Sequence, residues 1–213
     1  MGKNQKMLEE ASFSKLLLNL CLPTILIMLV MVIYNMADTF FVSQLGTSAV
    51  GAVGIVFSLM AIIQAIGFTL GMGSGTIVSL HLGAKEEEKA TCAASTGFFS
   101  AIVLGLALTV FGSLFVEPLM QVLGATETIL PYARDYGQYI LLAAPIMCAS
   151  FVMNNIFRCE GKSVLGMLGI GTGGILNIIL DPIFIFGLGL GTAGAAIATA
   201  LSQTVSFIIL LVL

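Results

Sequence analysis

Residues 163–187 read SVLGMLGIGTGGILNIILDPIFIFG. This apolar run is long enough to cross a bilayer, and its one charge, Asp181, stands directly before Pro182. Between Ser163 and Leu213, Asp181 is the only Asp, Glu, Lys or Arg; between Leu16 and Ala84 that distinction belongs to Asp38. An ionised carboxylate at bilayer depth costs roughly 2.5–3.5 kcal/mol even on lenient insertion scales, so it normally faces a protein or water-filled interior. Two such acids on two helices point to a site for cations.

The rest of the chain has the same character. Hydrophobic residues make up 58% and charged residues 9% of it, with a mean hydropathy of +1.10, against about 25% charged residues in soluble domains. Apolar runs of spanning length fall near 16–42, 49–80, 92–116, 131–157, 163–187 and 192–213, behind a short N-terminal segment, 1–15. The expected fold class is therefore an all-α membrane protein, a six-transmembrane-helix bundle. Lys3, Lys6, Lys15, Lys85, Lys89, Arg158 and Lys162 fall on one side of it, and Arg134 alone on the other. That bias makes the first side, with both termini, cytoplasmic in a cell (inner) membrane. The first run is too long for a signal peptide and contains Asp38. Cys21, Cys92, Cys148 and Cys159 show no paired spacing and read as reduced packing residues. The chain stops at Leu213 inside an apolar run, so it is expected to be the first half of a longer protein.

Loops are expected to be short except at 85–89, a solvated turn, and 117–130. Gly67, Gly71 and Gly75, and again Gly169 and Gly173, recur every four residues, as close helix contacts in lipid require. Helical spacing sorts the interior polar groups. Met28, Met31, Asn35 and Asp38 share a face of the first helix; Asn177 and Asp181 stack on the fifth. Thr192, Ala195, Thr199, Ser202 and Ser206 line the sixth, and Tyr132, Tyr136 and Tyr139 one side of the fourth. Asp38, Asp181, Thr199 and Tyr136 all fall roughly 5–12 Å below the outer surface at 1.5 Å per residue, a depth that permits one shared site. Pro182 removes an N–H, frees the Ile178 carbonyl and marks a hinge beside Asp181. Carboxylates and freed carbonyls suit hard cations such as Na⁺. A low-dielectric site also penalises the charged carboxylate, so the same acids could carry H⁺; the residues leave Na⁺ and H⁺ open. Enzyme chemistry is not expected. The only histidine, His81, has no metal-ligand partners in sequence, no Gly-x-Gly-Asp motif surrounds either acid, and no phosphate-binding glycine loop is present. Neither a cofactor nor a nucleic-acid partner is expected.

Three blocks of the sequence resemble a known pattern. Pro23 followed by Tyr34-Asn35-Met36-Ala37-Asp38, Phe41-Val42 and Leu45-Gly46 is similar to the first helix of the multidrug and toxic compound extrusion (MATE) family. Asn177-Ile178-Ile179-Leu180-Asp181-Pro182 is similar to its fifth helix, and the run from Gly191 to Thr199 to its sixth. The resemblance implies one lobe of a two-lobed, twelve-helix transporter with a central cleft, in which a cation-coupled antiporter exports drugs and confers resistance. It carries an ion-coupling site onto Asp38, Asn177, Asp181 and Thr199, with Tyr136 as a neighbour, and Na⁺ as a possible metal there. Asn35, Met28 and Met31 are candidate substrate-side residues, because flexible thioethers suit promiscuous apolar surfaces. The expected partners are lipophilic cationic small molecules, membrane lipids and a carboxy-terminal lobe. Two alternatives stay open: a lipid-linked oligosaccharide flippase of the same broader superfamily, and a non-transporting membrane scaffold subunit.

Overall fold

The computed structural model describes residues 13–213, with side chains from Cys21 onward except Pro23. The N-terminal lysines Lys3 and Lys6 lie outside the described residues, as do the side chains of Lys15 and Pro23. Among the described residues seven α-helices follow one another: α1 Phe13–Ser43, α2 Thr47–Gly83, α3 Glu87–Leu114, α4 Val116–Val122, α5 Leu130–Cys159, α6 Ser163–Pro182 and α7 Gly191–Val212. A π-helical stretch, Ile183–Gly187, joins α6 to α7. Among the described residues no strand occurs, and all the helices but α4 are long and apolar enough to cross a membrane. The all-α, six-span class expected from composition is what the chain adopts.

The 117–130 stretch is more ordered than a long loop. Val116 and Met120, one helical turn apart, are both buried, and that seat lets α4 form, with Met120 against Gly137 of α5. Arg134 of α5 reaches back to Glu117 at 2.6 Å. The 85–89 turn is likewise paired. Lys85 takes a positive φ of 62°, and Glu86 accepts from Lys89 and contacts His81 Nδ1, each at 2.8 Å. Lys89 first, then His81, hold the half-exposed Glu86 carboxyl below the ordinary glutamate range. A lowered folded-state value means the pairing is in full force above the ordinary range and is lost only as pH falls through the lowered one.

Helix α5 is the axis of the bundle. Along it Ala133, Tyr136, Ile140, Leu141, Ala144, Met147, Cys148 and Val152 are sealed from solvent, while α2, α3 and α7 pack around it. The close approaches are made by glycine. Gly67, Gly71 and Gly75 of α2 face Phe151, Asn155 and Cys159 of α5, four residues apart on both helices; an added Cβ would come within 2.9, 2.8 and 2.7 Å of them. Gly173 of α6 meets Ser206 of α7 in the same way, at 2.8 Å. Lipid offers helices no hydrophobic drive to associate, so close packing of side chains onto glycine backbone holds them together instead. The outer faces carry exposed Phe99, Phe111, Leu114 and Leu142, an apolar belt suited to acyl chains. The four cysteines are unpaired.

A methyl group discriminates between glycines that close contacts and glycines that do not. A Cβ at Gly105 of α3 would collide with the backbone of Pro145, whereas one at Gly73 meets nothing within 4 Å. Gly105→Ala is expected to lower stability by roughly 1–3 kcal/mol, and Gly73→Ala to leave it unchanged or raise it by about 0.5–1 kcal/mol. Thermal unfolding in detergent measures both; equal effects would contradict the packing assignment.

Candidate functional site

The polar centre lies where α1, α5, α6 and α7 meet, close to the ends of α1 and α6. Gly174 lets α1 lean on α6: a Cβ there would stand 2.8 Å from Val30 and 3.3 Å from the Tyr34 ring. One turn beyond Tyr34, Asp38 then points toward the α6 face that carries Asn177 and Asp181. At the other side Gly194 of α7 sits under the Phe184 carbonyl, with room for no side chain. That contact sets α7 against the π-helical turn, and Thr199 follows just over one turn later.

The hydrogen bonds divide the cluster into donors already used and acceptors left over. Tyr136 donates its hydroxyl to Asp38 Oδ2 at 2.8 Å, and that hydroxyl also faces Thr199. Asn177 Nδ2 donates to Asp181 Oδ1 at 3.2 Å and to Thr199 Oγ1 at 3.1 Å. Both amide hydrogens are then committed. Asp38, Asn177, Asp181, Thr199 and Tyr136 are each at most 3% exposed. Asp38 Oδ1, Asn177 Oδ1, Asp181 Oδ2 and, on the next turn of α7, Ser202 Oγ are buried without a protein partner.

This donor set fits a hard cation. It presents oxygens only, two of them on carboxylates, and no Lys or Arg is buried among the described residues. A buried, unneutralised carboxylate pair is strongly unfavourable, so the site would gain from a bound cation or proton. Hard cations take this kind of ligand. Among the described residues no group of three His, Cys, Asp or Glu side chains gathers, which argues against a softer-metal centre.

The four residues expected to share depth do come together, and Asn177 bonds two of them. The methionine stripe does not join them. Met28 is exposed, Met31 packs at the edge of the core, and Asn35 donates to its own Met31 carbonyl at 2.8 Å. Steps of 3, 4 and 3 residues advance less than 3.6 per turn, so the stripe drifts by roughly 80° between Met28 and Asp38. Asn35 instead lines an open groove of about 490 Å³ with Val32, Met36, Thr39, Phe40 and Phe57. Of the tyrosines, Tyr132 is exposed and Tyr136 sealed, while Tyr139 packs at the edge of the core. Pro182 is where α-helical pairing gives way to the π turn, in which the Leu188 N–H reaches the Ile183 carbonyl at 2.9 Å. Ser202 joins the site from the small-residue stripe of α7, whereas the Tyr34–Gly174 docking contact has no signal in the spacing.

The chain as a whole is similar to known proteins. A family model described as MatE matches residues 23–183. A multidrug export protein of Staphylococcus haemolyticus is 34% identical over 199 residues, which are 93% of this chain and 44% of the relative. A FAD transporter of Shewanella oneidensis is 35% identical over 208 residues, 96% of this chain and 46% of the relative. A crystal structure of MATE in the bent conformation matches with a TM-score of 0.92 at 33% identity, over 99% of this chain and 47% of its own. A Pyrococcus furiosus transporter of the MOP superfamily, described by the reverse polarity of its binding pocket, matches with the same score and identity over 46% of its length. The chain thus spans about half the length of the relatives it matches.

Tyr136→Phe deletes one hydroxyl and leaves both Asp38 oxygens without a donor. The expected cost is about 1.5–3 kcal/mol, the range for a hydrogen bond to a charged group, whereas Tyr132→Phe at the exposed rim should be neutral. Paired thermal melts measure the difference, and equal melts would show that the Tyr136–Asp38 contact carries no weight.

Proposed function

The chain belongs to the MatE family of membrane transporters, and on that premise we propose that it forms one wall of a cation-coupled exporter of lipophilic organic cations. Asp38, Asn177, Asp181 and Thr199 bind the coupling ion, Na⁺ or H⁺, with Tyr136 orienting Asp38. The observation that carries this reading is the set of buried, unpartnered oxygens around two carboxylates, with no buried Lys or Arg among the described residues.

The geometry supplies a coupling logic. Asp38 belongs to α1 and Asp181 to α6, so an ion held between them ties the two helices together, and its release leaves two carboxylates that repel. Binding the ion to one arrangement more tightly than another is what shifts a transporter between states. The second wall of the cleft belongs to a facing six-helix lobe, because alternating access rocks two bundles around a site between them. The lysine and arginine distribution supports a cytoplasmic position for the 85–89 turn and the α5–α6 turn. Acyl chains cover the apolar belt.

Cationic cargo is supported by an interior without lysine or arginine among the described residues and by a groove, at Phe40 and Phe57, whose rings attract organic cations. A second reading, export of an anionic dinucleotide, draws on the similarity to the FAD transporter. It would require cationic side chains contributed by the facing lobe.

In the full-length transporter, Asp38→Asn and Asp181→Asn are each expected to abolish export of a cationic dye such as ethidium from loaded cells, at unchanged membrane abundance. Unimpaired export by both variants would overturn the ion-site assignment. Protection of cells against cationic dyes and biocides is the expected growth phenotype; efflux of FAD with no effect on cationic dyes would favour the second reading.

A further inference from the structure

Pro145 interrupts α5 from inside. It has no N–H, so the carbonyl four residues earlier, that of Leu141, loses its helical donor. Leu141 is sealed from solvent, and a carbonyl left unmet in such surroundings is costly. The donor comes from another helix. Thr109 Oγ1 of α3 stands 2.6 Å from the Leu141 carbonyl and 3.1 Å from the carbonyl of its own Gly105. Thr69, Thr76 and Thr96 bond only the carbonyl four residues back in their own helix; Thr109 crosses to the next one.

The surrounding contacts are built for that crossing. Gly97, Ala101 and Gly105 are buried small residues at four-residue steps on α3, and Thr109 is the next position of the stripe. Gly105 is pressed on the Pro145 backbone, and Gly112 on the Leu141 side chain, so α3 brackets the break from both sides. The break divides α5 into two parts with different duties. Beyond Pro145, Phe151, Asn155 and Cys159 lock onto the α2 glycines. Before it, about two and a half turns away, Tyr136 holds Asp38.

We infer that Thr109 is a positioning residue: its hydroxyl supplies the donor that Pro145 withholds from Leu141, and so keeps the Tyr136-bearing half of α5 seated on Asp38. This rests on the ion-site reading for its transport consequence alone; the structural consequence stands apart from it.

The test uses the full-length transporter with Thr109→Val, Thr109→Ser and Pro145→Ala. Incorporated 3-fluorotyrosine gives a ¹⁹F resonance for Tyr136, assigned by its loss in Tyr136→Phe. Thr109→Val should shift that resonance, lower the melting temperature by ~2–4 °C and raise the half-saturating concentration of the coupling cation several-fold, with little change in maximal rate. Thr109→Ser, which keeps the hydroxyl, should restore all three. In the Pro145→Ala background, where Leu141 regains an N–H donor, Thr109→Val should have little effect; this double variant also serves if Thr109→Val alone does not fold. A full Thr109→Val penalty in that background, or an unmoved Tyr136 resonance in Thr109→Val, would overturn the inference. If no cation-coupled transport is found, the resonance and melting comparisons still decide it.

Discussion

Two carboxylates held almost free of solvent, with no buried Lys or Arg among the described residues to offset them, govern the rest of this structure. Water or a counter-ion must neutralise such groups, or the protein must supply donors. Here the donors are few and deliberate: one tyrosine hydroxyl for Asp38 and one amide for Asp181. Each carboxylate keeps one oxygen in reserve. The helices are arranged so that four of them deliver side chains to one small volume.

Glycine is what makes the convergence possible. Side-chain packing alone would hold the helices several ångströms further apart, and the reach from α1 to α6 across Gly174 would fail. Small residues appear wherever helices pack closely: α2 against α5, α3 against α5, α6 against α7 and α1 against α6. In lipid these contacts replace the hydrophobic drive available in water, so the same residues that stabilise the bundle also position its site. The prolines add the opposite element. Pro145 and Pro182 each break a backbone ladder, and each break is met differently, by a threonine from a neighbouring helix and by a π turn. A helix that is broken and then repaired can hold a fixed bend, and both breaks lie in helices that carry site residues.

Much of this was legible in the chain. Two acids in otherwise uncharged apolar runs announced an interior polar site, because carboxylates at bilayer depth are too costly to occur without partners. Four-residue glycine spacing announced helix seams, and Asn177-x-x-x-Asp181-Pro182 announced a stacked pair at a break. Less legible were the fate of the Met28 stripe, the order in the 117–130 stretch and the π turn. A stripe read by eye at steps of three and four drifts around a helix, and α4 owes its existence to a seat for Val116 and Met120 that only α5 provides.

The sequence by itself determined that the chain is helical, that it belongs in a membrane, and which few residues cannot face lipid. Those properties follow from transfer free energies and helical period, which are local and additive along the chain. The tertiary structure alone decided which oxygens stay unpaired and that Tyr136, rather than Tyr132 or Tyr139, reaches Asp38. It also decided that the carbonyl orphaned by Pro145 is answered by Thr109. Each of these depends on the rotation and approach of helices distant in sequence, set by close packing between them, and no local pattern encodes that.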